Sequence, residues 1–102
     1  MERLENIFGN KQREVGIAKR ILGTLRPLEA PIDLIELIKQ CGNSLREVEE
    51  KHKSPHPVDY NRIFEQLGRY GYINPSTWVT VDSKLVMPES AKRMFDQYYA
   101  GK

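Results

Sequence analysis

Pro57-Val58-Asp59-Tyr60-Asn61-Arg62-Ile63-Phe64-Glu65-Gln66-Leu67-Gly68-Arg69-Tyr70-Gly71-Tyr72-Ile73 holds one complete helix pattern and the chain's way out of it. Tyr60, Ile63, Phe64, Leu67 and Tyr70 recur at three- and four-residue spacing, which predicts a helix over 57–70 with one apolar stripe. The opposite face carries Asp59, Arg62, Gln66 and Arg69, flanked by Asn61 and Glu65. Pro57 suits the first turn, where a missing N–H leaves nothing unpaired, and Gly68 and Gly71 loosen the end.

Upstream, Ser54-Pro55-His56-Pro57 closes a short helix that opens at Ser44. Ser44 and Glu47 have the spacing of a capping box, with Leu45 and Val48 facing inward and Glu47, Glu49, Glu50 and Lys51 facing water. A preceding helix starts at Pro31 and ends at Gly42-Asn43; Ile32, Leu34, Ile35, Leu37 and Ile38 make it apolar on more than one face, as a central core helix would be. An N-terminal helix is expected over about 10–25, capped by Asn10 and ended by Arg26-Pro27. Val15, Ile17, Ala18, Ile21, Leu22 and Leu25 line its inner face, Lys11, Arg13, Glu14, Lys19 and Arg20 the outer one, and Leu4, Ile7 and Phe8 form a short lead-in before Gly9.

Downstream the period changes from helical spacing to two-residue alternation. Trp78-Val79-Thr80-Val81 and Lys84-Leu85-Val86-Met87, on either side of Asp82-Ser83, predict a hairpin over 78–87, with Trp78 packed against Tyr72 and the last helix. That helix is expected over about 88–99, where Ala91, Met94, Phe95, Tyr98 and Tyr99 form its apolar face.

The whole is 102 residues, the size of one domain, and a single domain over 1–102 is expected. With 39% hydrophobic and 29% charged residues it has neither the composition of a membrane span nor that of a disordered charged tail. The opening Met1-Glu2-Arg3-Leu4-Glu5 lacks the apolar stretch of a secretory signal, and Cys41 is the single cysteine, so a reducing cytoplasmic setting is expected. The net charge of +2 is spread along the chain: +2 over residues 1–30, −1 over 31–56 and +1 over 57–102. No segment is a basic tail, so partners must be inferred through the fold.

The order of helices, turn, longer helix, hairpin and final helix resembles a winged helix-turn-helix domain, a mainly α fold with a small β-hairpin. The match is carried by Leu45-Arg46-Glu47-Val48, by Val58 through Ile63-Phe64 and Leu67, and by Gly71-Tyr72-Ile73. Leu67 to Ile73 is similar to the superfamily's exit from the recognition helix, and Val86-Met87-Pro88-Glu89-Ser90 to the exit from the wing into a C-terminal helix. The resemblance implies a small DNA-binding protein, a transcriptional regulator. Helix 57–70 would then lie in the major groove of double-stranded DNA, with hairpin 78–87 as the wing. It also implies nucleic-acid contacts from His56, Asn61, Arg62, Gln66, Arg69 and Lys84, and, as in small winged-helix repressors, a homodimer through terminal helices, here Met94, Phe95, Tyr98 and Tyr99.

The bland alternative for the 57–70 face is a solvated surface. A second functional reading is a winged-helix adaptor that docks another protein through the acidic helix or the aromatic C-terminal stripe. Glu47, Glu49 and Glu50 and the low net charge favour that alternative, because few counterions would be released on binding DNA. Chemistry is not expected. Cys41, His52 and His56 are one ligand short of a structural zinc site, no Gly-rich phosphate loop precedes a helix, and no histidine has a local acid partner. Neither a catalytic residue, a metal, a cofactor nor a membrane partner is expected.

Overall fold

The computed structural model describes residues 2–75 and 79–99. Along the chain these form α1 (Leu4–Ile7), α2 (Gln12–Leu25), β1 (Ile32–Asp33), α3 (Leu34–Lys51), α4 (Tyr60–Arg69), β2 (Lys84–Leu85) and α5 (Glu89–Tyr99). The fold is mainly helical with one small antiparallel sheet, and among the described residues no helix is long and apolar enough to cross a membrane.

The expected N-terminal helix is present as α2, but Asn10 is not its cap. Gly9 and Asn10 both sit at φ 62°, in the left-handed region, and turn the chain sharply between α1 and α2. Lys11 takes the cap position with no side-chain bond. The inner face of α2 is as expected: Ile17, Ala18, Ile21 and Leu22 are fully buried.

The two helices expected over 31–52 are one. Gly42-Asn43 does not end α3, and Ser44 lies inside it rather than capping a new helix. The reason is visible in the buried set, Leu37, Cys41, Leu45 and Val48, whose four-, four- and three-residue steps run unbroken across the glycine. A mid-helix glycine costs about 1 kcal/mol, which one continuous core stripe outweighs. Nor is this helix apolar on all sides in use: Ile35 is 54% and Ile38 36% exposed.

The sheet also departs from expectation. Lys84–Leu85 pairs not with 79–81 but with Ile32–Asp33, in the register Ile32 opposite Leu85 and Asp33 opposite Lys84. Val86 bridges instead to Asn74. Residues 80–83 form a tight turn: Ser83 N–H donates to the Thr80 carbonyl (3.0 Å) and Thr80 N–H to Ser83 Oγ (2.9 Å). Leu85 is fully buried, and reaching the core decides its neighbour, because the strand must lie where α3 begins. The expected packing of Trp78 lies outside the described residues.

α4 begins three residues later than Pro57, since Asp59 is the N-cap: its Oδ1 accepts from Arg62 N–H at 3.1 Å. Its end is a Schellman motif. Gly71, at φ 84°, lets Tyr72 N–H reach the Leu67 carbonyl (2.8 Å) while Gly71 N–H reaches Gly68 (3.1 Å). Leu67 and Tyr72 are both fully buried at that corner, whereas Tyr70, expected in the apolar stripe, is 40% exposed.

α5 closes the core with Ala91 and Phe95 and is tied down by polar bonds. Arg26 grips Asp96 through two hydrogen bonds, Nε to Oδ1 at 2.8 Å and Nη2 to Oδ2 at 2.6 Å. The buried Lys92 ammonium donates to the Leu28 carbonyl at 2.9 Å. Tyr99 hydroxyl accepts from Leu4 N–H (2.8 Å) and donates to Glu5 (2.7 Å), so it serves an orphan donor at the start of α1.

Candidate nucleic-acid interface

The outer face of α4 is built by helical period alone. With Ile63, Phe64, Leu67 and Gly68 turned into the core, Asn61, Arg62, Glu65 and Arg69 are left exposed. Arg62 and Arg69 are seven residues apart, nearly two full turns, so they stand on one line about 10 Å apart along the axis. Among the described residues neither guanidinium forms an ion pair, and each keeps its full donor fork. Glu65 is the one acid between them.

Gln66 behaves differently from the expectation of an open base-reading amide. The residue is half-buried, and its Oε1 is buried with no hydrogen-bond partner among the described residues. Asn61 lies toward the other flank of α4, where it edges an apolar groove shared with α3.

His56 precedes α4 in the linker and is exposed. Its backbone is fixed on both sides: its N–H donates to Ser54 Oγ (3.2 Å) and its carbonyl accepts from Arg13 Nη1 (2.7 Å). Arg13 therefore pins the linker to α2, and it also holds Glu14 at 3.0 Å. Burial pushes the Glu14 carboxyl up, but the Arg13 hydrogen bond and charge outweigh that and hold it below its ordinary value.

Lys84 is not part of this line. It sits on β2 opposite Asp33, with its Nζ 3.8 Å from Asp33 Oδ1, and both side chains are more than 60% exposed. The structure thus brings Arg62 and Arg69 together, sets His56 at the entry, turns Gln66 partly inward and pairs Lys84 elsewhere.

Comparison with protein-family profiles, curated proteins and solved structures gives no match.

The acidic stretch before α4 is less free than its composition implies. Glu49 accepts from the Tyr60 hydroxyl at 3.2 Å, and Glu50 lies 3.4 Å from Lys53. Burial first, then the Glu49 charge, pushes the Tyr60 phenol up to about 12. The apolar groove beside this bond, about 370 Å³, is lined by Leu34, Ile38, Gly42, Leu45, Tyr60 and Phe64.

The remaining chemical candidates are quiet. Cys41 is buried, and loss of water raises its thiol above the ordinary value, so it is protonated and packed. Among the described residues no group of three His, Cys, Asp or Glu converges as a metal would require.

The aromatic C-terminal stripe is spent inside the chain. Phe95 is buried, Tyr99 is bonded to α1, and Arg3 stacks over Tyr98 at 4.8 Å. What periodicity did not reveal is a set of basic side chains where α2 meets the end of α3: Lys19 and Arg20 beside Lys51 and His52. Their proximity depends on how two helices pair, and no local spacing encodes that.

Proposed function

We propose that this chain is a winged-helix DNA-binding protein, a transcriptional regulator, that lays α4 in the major groove of double-stranded DNA. The observation that carries the reading is the pair Arg62 and Arg69: two exposed, unpaired guanidiniums on one face of one helix. Their separation, about 10 Å along the axis, spans about three base steps. Each fork matches O6 and N7 of guanine or a phosphate. His56, beside the helix entry, supplies a further donor toward the backbone, and Asn61 reaches from the flank. Gln66 contributes only through its amide nitrogen while its oxygen is turned inward. Lys84 acts, on this reading, as a backbone contact that must first leave Asp33.

The role is binding, without a catalytic step or cofactor. A homodimer through α5 would use only the surface that Met94, Tyr98 and Tyr99 leave open.

A second reading has its own observation. The α3–α4 groove is apolar, and Ile35 and Ile38 extend the exposed apolar surface of α3. A protein-docking adaptor would use that face. Fluorescence anisotropy of labelled random duplex DNA at low and moderate salt separates the two. Micromolar affinity that collapses with salt supports the DNA reading, since phosphate contacts release counterions. No binding at tens of micromolar protein in low salt makes the adaptor reading the one to pursue.

A further inference from the structure

A trough runs along the flank of α2 and α3, with no α4 residue in its wall. Its wide end, about 540 Å³, is lined by Lys19, Arg20 and Thr24 from α2 and by Ser44, Lys51 and His52 from α3 and its C-cap. Among the described residues every ionisable side chain there is of the basic type, the two neutral polar ones are hydroxyls, and no carboxylate lines it. Arg20 and Lys51 form no ion pair among the described residues. Lys19 is shared: its Nζ is 3.7 Å from Glu5 and lies over the Tyr99 ring.

Gly23 is an exposed part of the lining, and a Cβ built there would meet nothing within 4 Å. Glycine weakens a helix, and this one makes room for no neighbour.

Three further hollows adjoin it in series through shared lining residues. His52 also borders a cavity with Gln12 and Lys19, and a third with Lys11 and Ser54. Lys11 in turn borders the hollow that reaches Arg62 on α4. The acids along this path are already engaged: Glu14 with Arg13, Glu5 with Lys19 and Tyr99, and Asp59 as the cap of α4.

We infer that this trough is a second nucleic-acid site, in which the phosphate backbone of a strand entering past Arg62 and Lys11 continues by His52 into the groove between α2 and α3. Ammonium, guanidinium and hydroxyl donors with no carboxylate acceptor beside them suit phosphate oxygens. The wide end is open, and among the described residues no Phe, Tyr or Trp lines it to enclose a base or hold a free nucleotide. A linear polyanion fits such a channel better than a compact ligand. The inference takes nucleic acid as the ligand from the reading above but does not need α4 to read bases.

The test is a pair of NMR titrations of the full, ¹⁵N-labelled chain, one with a random-sequence duplex and one with tripolyphosphate. The expected result is that duplex shifts the amide signals of Gly23, Thr24, Ser44 and His52. In parallel, the double variant Arg20→Glu, Lys51→Glu should bind the duplex about tenfold more weakly, with a salt slope shallower by about two. Arg20→Gln with Lys51→Gln, a milder pair, should lose less, and unchanged circular dichroism in both shows that the fold is kept. Shifts confined to residues 61–69 would overturn the trough and leave the α4 reading standing. Shifts in the trough without any on α4 would support the trough and sink the α4 reading. Silence at both sites would overturn both. Trough shifts with tripolyphosphate but not with duplex would overturn the nucleic-acid assignment in favour of a small phosphorylated ligand.

Discussion

Gly16 on α2 faces Val48 on α3 so closely that a Cβ at Gly16 would stand 3.0 Å from Val48 Cγ1. This is where the two longest helices touch, and the missing side chain is what lets them. Seven residues on, Gly23 has no such neighbour. Gly23→Ala should therefore stabilise the protein by about 0.5–1 kcal/mol, through helix propensity and a less flexible unfolded chain. Gly16→Ala should destabilise it by about 1 kcal/mol or more, since Val48 must give way. Urea unfolding midpoints of the two variants should move in opposite directions.

Gly71 carries the turn out of α4 at φ 84°. Any side chain there meets the strain of the left-handed region, so Gly71→Ala should cost about 1–2 kcal/mol. Asn, which tolerates that region better, should cost less than Ala. The order of thermal midpoints, wild type above Gly71→Asn above Gly71→Ala, is the check.

Lys92 is a charged residue at 6% exposure whose ammonium serves the Leu28 carbonyl, with Glu89 3.8 Å away in the open. Lys92→Met keeps most of the stem but leaves that carbonyl without its donor, and should cost about 1–3 kcal/mol. Lys92→Ala should cost more, because the packing of the stem goes as well. Equal stability of Lys92→Met and wild type would mean that water replaces the bond.

Asp96 gains its acidity from Arg26: the hydrogen-bonded guanidinium holds the carboxyl below its ordinary 3.8. A folded value below the unfolded one means that the stabilisation is fully present above the unfolded value. It is lost as the pH falls through the folded one. In Asp96→Asn, unfolding curves should converge on those of the wild type toward strong acid and separate from them above about pH 4. Because both side chains are about 40% exposed, added salt should narrow that separation.

For DNA binding, Arg62→Ala and Arg69→Ala should each lose about 1–3 kcal/mol of affinity. Lys84→Ala should lose less than either, because its backbone contact is made only after it leaves Asp33, 3.8 Å away. Anisotropy titrations at fixed salt measure all three, and unchanged affinity in both arginine variants would remove α4 from the interface.

Helices α2, α4 and α5 were legible in the amino-acid order, because a helix is specified by residues three and four apart and by nearby caps and glycines. The Arg62–Arg69 line was legible for the same reason. The order alone also contained the sign that α3 is continuous: Leu37, Cys41, Leu45 and Val48 keep step across Gly42, although Gly42-Asn43 and Ser44 read as a stop and a start. A local break signal carries about 1 kcal/mol, less than one buried side chain, so the core overrode it.

Other features were decided only when the chain closed on itself. Lys84–Leu85 has the alternation of a strand, but nothing in that alternation names Ile32–Asp33 as its partner; the buried position of Leu85 does. Gln66 has the spacing of a surface residue, yet its amide oxygen is shut away by its surroundings. The aromatic residues of α5 look free in sequence, and the hydroxyl of Tyr99 finds Leu4 and Glu5 near the opposite end of the chain. The cations at Lys19 and Arg20 meet Lys51 and His52 because Gly16 lets α2 and α3 come close. Helix period and caps act over one or two turns and are written in adjacent residues. Strand partners, buried polar atoms and shared grooves depend on distances between segments, which are set only by the packing of the whole core.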